Sequence, residues 1–252
     1  KSAKILTNFN CKSRSSMFLK LLILLGLFSY AVSPSFAENR ALIIAVSDYP
    51  QESGWARTSS DNDVIYISAA LQLNQFNPSN ISVIQNEQAS YEGIQRALKS
   101  LLESIQSNDI IYLHFSGHGQ QVSDDNKDEI DGLDEAFVPY NSPKYYKAGV
   151  YEGEHLFRDD ELRIWLEKIR RKCGPRGQLV LVMDSCHSGT GSRGNQLVRG
   201  SSVIMAPQKL EVSDVHSGDI FLEKPTYSDN NLAPQIALFA SSSQELNYST
   251  FD

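Results

Sequence analysis

The sequence predicts a three-layer α/β/α sandwich with a mainly parallel central sheet, and three observations lead there. Five short apolar runs, rich in β-branched residues, are spread along the 252 residues, each with the length and continuity of a strand buried on both faces. Between them lie segments whose apolar residues recur at spacings of three and four, the helical period. Two of the runs end in polar, glycine-containing turns, as strands do at the carboxyl edge of a parallel sheet. Strands alternating with helices in this way imply right-handed crossovers that leave helices on both faces. The composition, 41% hydrophobic and 21% charged, is that of a packed domain and excludes collagen-like, coiled-coil and low-complexity chains.

The first segment reads as an export signal. Lys12, Arg14 and Lys20 flank the start of the apolar run 21–28, and Ser35 and Ala37 supply the small residues of a cleavage site. That run falls short of the roughly 20 residues a membrane-spanning helix needs, so no stable membrane span is expected once the signal is removed; a retained anchor is the alternative. Met17 offers a second start, which would leave residues 1–16 untranslated. The domains are thus expected to be a signal peptide over 1–37 and one folded domain over 38–252, exported to the periplasm or the extracellular space.

The next elements follow in order. Arg40–Ser47 is the first buried strand, closed by the turn-forming Asp48-Tyr49-Pro50. Val64, Ile67, Ser68 and Leu71 mark a helix, Ile81–Gln85 a second strand, and Ile94, Leu98, Leu101, Leu102 and Ile105 a second helix. Asp109–Phe115 is the third strand. The segment 159–171 is a third helix with an acidic first turn and a basic last turn, as the helix dipole favours, and Cys173-Gly174-Pro175 stops it. Gln178–Met183 and Gln235–Ala240 complete the strands. Between those two, residues 187–234 are rich in Ser, Gly and Asn and read as a long exposed loop. The sequence stops soon after the last strand, so a domain incomplete at its C-terminus is expected.

Charge narrows the function. The net charge is −7, yet residues 1–37 hold five basic residues and no acidic one; taking those five from the 23 basic residues leaves 18 against 30 acidic in 38–252. An acidic domain argues against nucleic acid as a partner and suits a cationic substrate. Once residue 11 leaves with the signal, Cys173 and Cys186 remain, enough for one disulfide in an oxidising compartment. Cys186 is nevertheless expected to stay a free thiol.

The chemistry lies in the two strand-ending turns. His118, in Ser116-Gly117-His118-Gly119, and Cys186, in Asp184-Ser185-Cys186, would share one cleft at the ends of neighbouring strands, where an imidazole favours the thiolate. The amides of Gly119 and Cys186 could stabilise a developing oxyanion. A small buried thiol and a hydrogen-bonded turn histidine are the bland alternative for either residue alone. Zinc has no Cys-x-x-Cys or His-Glu-x-x-His motif to hold it. Strand alternation puts Asp184 on the same face as Cys186, and an acid at the end of an apolar strand is costly unless paired or functional. The acidic stretch 124–129 lacks the glycine an EF-hand loop requires at its sixth position and reads as a solvated loop.

With these motifs the chain resembles the caspase-like cysteine peptidases, most closely the metacaspase and bacterial orthocaspase branch. Asn62-Asp63-Val64, Asp131-Gly132-Leu133-Asp134-Glu135 and Arg158-Asp159-Asp160-Glu161-Leu162 extend the match from about Arg40 to Ala240. The resemblance implies a caspase-like sandwich and a cysteine endopeptidase acting through a thioester acyl-enzyme, with Cys186 as nucleophile and His118 as acid and base. It implies cleavage after Arg or Lys rather than Asp, in protein or peptide substrates, with Asp63, Ser116 and Asp184 shaping the pocket for the basic side chain. Asp63 is also explained as a helix N-terminal residue, a role Asp61 fills equally well. No cofactor is required for the chemistry. Family calcium sites match Asp134, Asp159 and Asp160, but Arg193 stands where a further acidic ligand belongs and sets calcium in doubt. Self-processing in the post-cysteine loop would fall after Arg193, Arg199, Lys209 or Lys224. The competing class is a catalytically silent caspase-like binding or regulatory module.

Overall fold

The computed structural model describes residues 37–126, 129, 132–186, 197–207, 230–240 and 248–249. The export signal over 1–37 falls almost wholly outside these residues, as do Arg193, Lys209 and Lys224. No helix among the described residues is long and apolar enough to cross a membrane.

The elements run in chain order as β1 (Asn39–Ala45), α1 (Ser60–Leu73), β2 (Ile81–Gln85), α2 (Tyr91–Ser104), β3 (Ile110–Ser116), β4 (Gly119–Ser123), β5 (Leu133–Phe137), β6 (Phe157–Arg158), α3 (Asp159–Cys173), β7 (Gln178–Asp184), β8 (Leu197–Val198), β9 (Gln235–Phe239) and β10 (Tyr248–Ser249). Five of the strands form a parallel sheet in the order β2-β1-β3-β7-β9. The five apolar runs are these five strands, displaced by a residue or two at most.

Alternation along β1 explains the layering. Leu42 and Ile44 point to one face, where they pack with Ile94, Leu98 and Leu101 of α2 and with Leu162, Leu166 and Ile169 of α3. Ala41 and Ile43 point to the other, against Leu71 and Phe76, with Val64 and Ile67 of α1 alongside. Burying each such aliphatic side chain contributes roughly 1.5–3 kcal/mol. Helices on both faces give the three-layer sandwich. Beyond α1 that second face thins out, and Ile236 and Leu238 of β9 are exposed.

Two features depart from the sequence reading. β4, β5 and β6 form a small antiparallel sheet that the apolar pattern does not signal, because Gln120, Asp134 and Glu135 are buried in it. The second concerns the post-cysteine stretch expected to be an exposed loop. Arg199, Ser201, Met205 and Ala233 are all buried, and β8 pairs antiparallel with β10. Met205 is stitched to β4, its amide donating to the Gln121 carbonyl at 2.9 Å and its carbonyl accepting from Ser123 at 3.1 Å. The reason this segment is drawn in lies at the sheet's carboxyl edge.

Candidate active site

β3 and β7 are neighbours in register, Ser116 opposite Asp184, so both motifs emerge at one edge. His118 follows β3 directly. Its Nε2 lies 2.8 Å from the Ala56 carbonyl, as a donor to that oxygen, and its ring stacks on Trp55 with centroids 4.7 Å apart. The Tyr49 hydroxyl accepts from the His118 amide at 3.1 Å and donates to the Val138 carbonyl at 3.0 Å. The ring is thereby fixed in one orientation, with Nδ1 buried and without a hydrogen-bond partner among the described residues. Burial holds the imidazole down at about 4, against a partial opposing effect of the Ala56 hydrogen bond, so it is neutral at ordinary pH. Gly117 permits the packing: a Cβ there would meet the Tyr49 hydroxyl at 2.9 Å and the Phe137 ring at 3.0 Å.

Cys186 is buried two residues beyond β7. Neither Cys173 nor Cys186 is in a disulfide, so the single bridge that two cysteines would allow does not form, and burial pushes Cys173 up to about 11. The amides of Gly119 and Cys186 converge on one acceptor, at 3.1 and 3.0 Å. That acceptor is the carbonyl oxygen of Arg199.

The Arg199 side chain enters the cluster expected to form the acidic pocket. Its Nη1 donates to Asp63 Oδ2 at 2.8 Å, Ser116 Oγ at 2.8 Å and Asp184 Oδ2 at 2.7 Å, while Nη2 donates to Ser59 Oγ at 2.9 Å. Ser116 donates in turn to Asp63 at 2.5 Å. The guanidinium is only 4% exposed, a burial that two carboxylates and charge-assisted hydrogen bonds offset. The structure therefore brings Asp63, Ser116 and Asp184 together around one cation. It also separates Asp63 from Asp61, which instead pairs with the exposed Arg57 at 3.0 Å.

The expected calcium residues gather elsewhere. Asp134 lies on β5, and Asp159 and Asp160 open α3. Asp124 and Asp125, taken from sequence as part of a solvated loop, come beside Asp134 with oxygens within 4.8 Å of one another, a donor set suited to a hard cation. Arg158, however, already donates to Asp134 and to the Ser123 carbonyl. Asp160 accepts from Asn126 and from Arg163. Asp159 keeps one buried oxygen without a partner among the described residues. A guanidinium on Asp134 makes the present arrangement a poor fit for calcium.

Sequence reasoning missed three parts of this edge. Trp55 and Tyr49 carry no motif, and the Ala56 carbonyl has no sequence signal because every residue possesses one. Arg199 was visible only as one of four basic residues in a polar stretch.

The comparisons with known proteins bear on this geometry. A family model for the metacaspase, peptidase C14 domain matches residues 39–192. The chain belongs to the metacaspase family. Metacaspase-1 of Pyricularia oryzae is 29% identical over 195 residues, covering 75% of this chain and 46% of that protein. Metacaspase-1A of Aspergillus fumigatus is 31% identical over 170 residues, 65% of this chain and 38% of the relative. Metacaspase III c of Phaeodactylum tricornutum is 32% identical over 163 residues, 60% and 43% respectively. The chain thus spans less than half the length of each of these metacaspases.

Proposed function

We propose that this chain is a cysteine endopeptidase that cuts after Arg, and less readily after Lys, in protein and peptide substrates. One observation carries the reading: a guanidinium held by Asp63, Ser116 and Asp184 belongs to the same residue whose carbonyl meets the Gly119 and Cys186 amides. A substrate's basic side chain and its scissile carbonyl have to satisfy those two demands together. Hydrogen bonds to both Nη atoms favour the planar fork of Arg over the point charge of Lys.

In the mechanism, Cys186 Sγ attacks the carbonyl carbon and the two amides stabilise the oxyanion. His118 takes the thiol proton on Nδ1, its Nε2–H anchored to Ala56, and returns it to the leaving amine. The Ala56 carbonyl does the orienting that a third side chain does in other nucleophile–base pairs. Water then hydrolyses the thioester. The chemistry needs no metal, and calcium at Asp124, Asp125 and Asp134 would first have to displace Arg158. The same reading keeps residues 1–37 as an export signal, so the mature protein would act outside the cytoplasm.

The test is hydrolysis of fluorogenic peptides with Arg, Lys or Asp before the reporter, with and without calcium, by the chain, its Arg199→Gln form and its Cys186→Ala form. Cleavage after Arg exceeding Lys, lost with Cys186, is expected. Cleavage after Asp would overturn the pocket assignment. Silence from both the chain and Arg199→Gln, each shown folded, would leave a caspase-like binding module.

A further inference from the structure

His118 leans on two consecutive residues, the Trp55 ring that stacks on it and the Ala56 carbonyl that accepts from its Nε2. The indole has a second partner. Lys144 Nζ lies over the Trp55 ring, 5.0 Å from its centre, where the electron-rich face of an indole attracts a cation. The main chain fixes this placement. The Lys144 amide donates to the Ser53 carbonyl at 2.9 Å, its carbonyl accepts from Gln120 Nε2 at 2.9 Å, and Trp55 Nε1 donates to the Ser142 carbonyl at 3.0 Å. Burial pushes the ammonium down, and no ion pair among the described residues offsets that. For packing alone such a cation is the wrong choice, since a Met there would cover the indole without the cost of desolvating a charge.

We propose that Lys144, acting through Trp55, is a positioning residue that sets the proton affinity of His118 by opposing the imidazolium. Its consequence for turnover rests on the peptidase reading above. The charged and titratable groups about the ring are Tyr49, Lys144, Arg199 and the Cys186 thiol. Tyr49 stays protonated, because burial raises its hydroxyl far above the usual range. The two charges acting on His118 are thus both positive, and each lowers it. In a triad with a carboxylate, the third group stabilises the imidazolium. Here that place belongs to an uncharged carbonyl, and the indole on which an imidazolium would lean already serves an ammonium. When the thiol proton moves to Nδ1, the imidazolium that forms is therefore a strong acid, ready to pass the proton to the leaving nitrogen. Between turnovers the same charge keeps the imidazole free to accept a proton in mildly acidic surroundings.

The experiment records two titrations of the full chain, kcat/KM for an Arg peptide against pH and the His118 imidazole by NMR in the Cys186→Ala form. Lys144→Met should move the acid limb and the imidazole midpoint up together by about 0.5–1 pH unit, as removal of a nearby like charge does. Lys144→Gln should behave in the same way, so the result does not hang on the fold of one variant. Lys144→Arg, which keeps a cation over the indole, should leave both midpoints with the parent. KM on the alkaline plateau should hold within about twofold, because Lys144 acts on the imidazole and not on the substrate. In a Trp55→Leu background the shift caused by Lys144→Met should largely vanish. Midpoints that Lys144→Met leaves in place, or that Lys144→Arg moves equally, would overturn the inference while hydrolysis of the peptide left the peptidase reading standing. A raised KM with the limb unmoved would assign Lys144 to substrate binding and overturn it likewise. An undiminished shift in the Trp55→Leu background would overturn the route through the indole. The NMR shift without hydrolysis by any form would uphold the role of Lys144 and overturn the peptidase reading alone.

Discussion

Two groups of acids in this protein meet positive charge in different ways. Around Arg199, Asp63 and Asp184 share one guanidinium that reaches them from far along the chain. Around Arg158, the acids outnumber the cation: Asp134 has its ion pair, while Asp159 keeps a buried oxygen without a partner among the described residues. Burial pushes Asp134 up to about 6 and Asp159 up to about 7. Burial penalises whichever form carries charge, so the same cause drives two buried histidines the other way, His114 within β3 and His118 both to about 4. The lesson is that the Arg199 cluster is built to hold a cation, whereas the Arg158 cluster remains short of one.

The largest effect that could break this comparison concerns Asp184. Removing one partner of a buried pair leaves the other charge exposed to the full desolvation cost, so Asp184→Asn should lower kcat/KM for Arg peptides by about 100-fold or more, measured in the Arg199→Gln background where the pocket is open. Equal losses for neutral and basic peptides would mean that Asp184 serves the fold and not the pocket.

Next in size is Asp159. Its folded value is raised from 3.8 to about 7, so its neutral form is favoured in the folded protein and stability is lost as pH rises through that interval. Asp159→Asn should therefore be more stable than the parent at pH 8 by on the order of 2 kcal/mol and indistinguishable at pH 4, by urea unfolding. The histidines slope oppositely. His114, lowered from 6.5 to about 4, contributes stability above the upper value that is lost as pH falls through the lower one. His114→Gln should flatten that acid limb by on the order of 1–2 kcal/mol. A steeper acid limb in the variant would show that the imidazole is not kept neutral by its surroundings.

The smallest effect tests the shortage of cation directly. With Arg158→Gln, millimolar calcium should raise the melting temperature by about 2–4 °C, the shift expected for about 1 kcal/mol in a domain of this size, and should raise it less in the parent. An equal rise in both would mean that Arg158 does not compete with calcium.

Much of the fold was legible because the central strands are buried on both faces, and apolar runs such as Ala41–Ala45 of β1 are then continuous. β4–β6 were not legible, since their inward positions include Gln120 and Glu135, which no hydrophobic pattern marks. In the site, His118 and Cys186 stood out because glycines surround strand ends of a kind that parallel sheets place together. Asp61 and Asp63 could not be told apart in sequence, as both lie in the first turn of α1, and only three-dimensional proximity to Ser116 distinguishes them. Arg199 was the least legible of all. A basic residue in a Ser- and Gly-rich stretch looks solvated until the partners that desolvate it are assembled.

Those partners lie 136, 83, 15 and 140 residues from Arg199 in the sequence, at Asp63, Ser116, Asp184 and Ser59. Contacts of such long range form only after the intervening chain has closed its loops, so they belong to the end of folding. The guanidinium has nowhere to bind until α1, β3 and β7 have come together. Until they do, the carboxylates of Asp63 and Asp184 have no Arg199 to share, so their mutual repulsion works against assembly of this sheet edge and is relieved only when the guanidinium arrives.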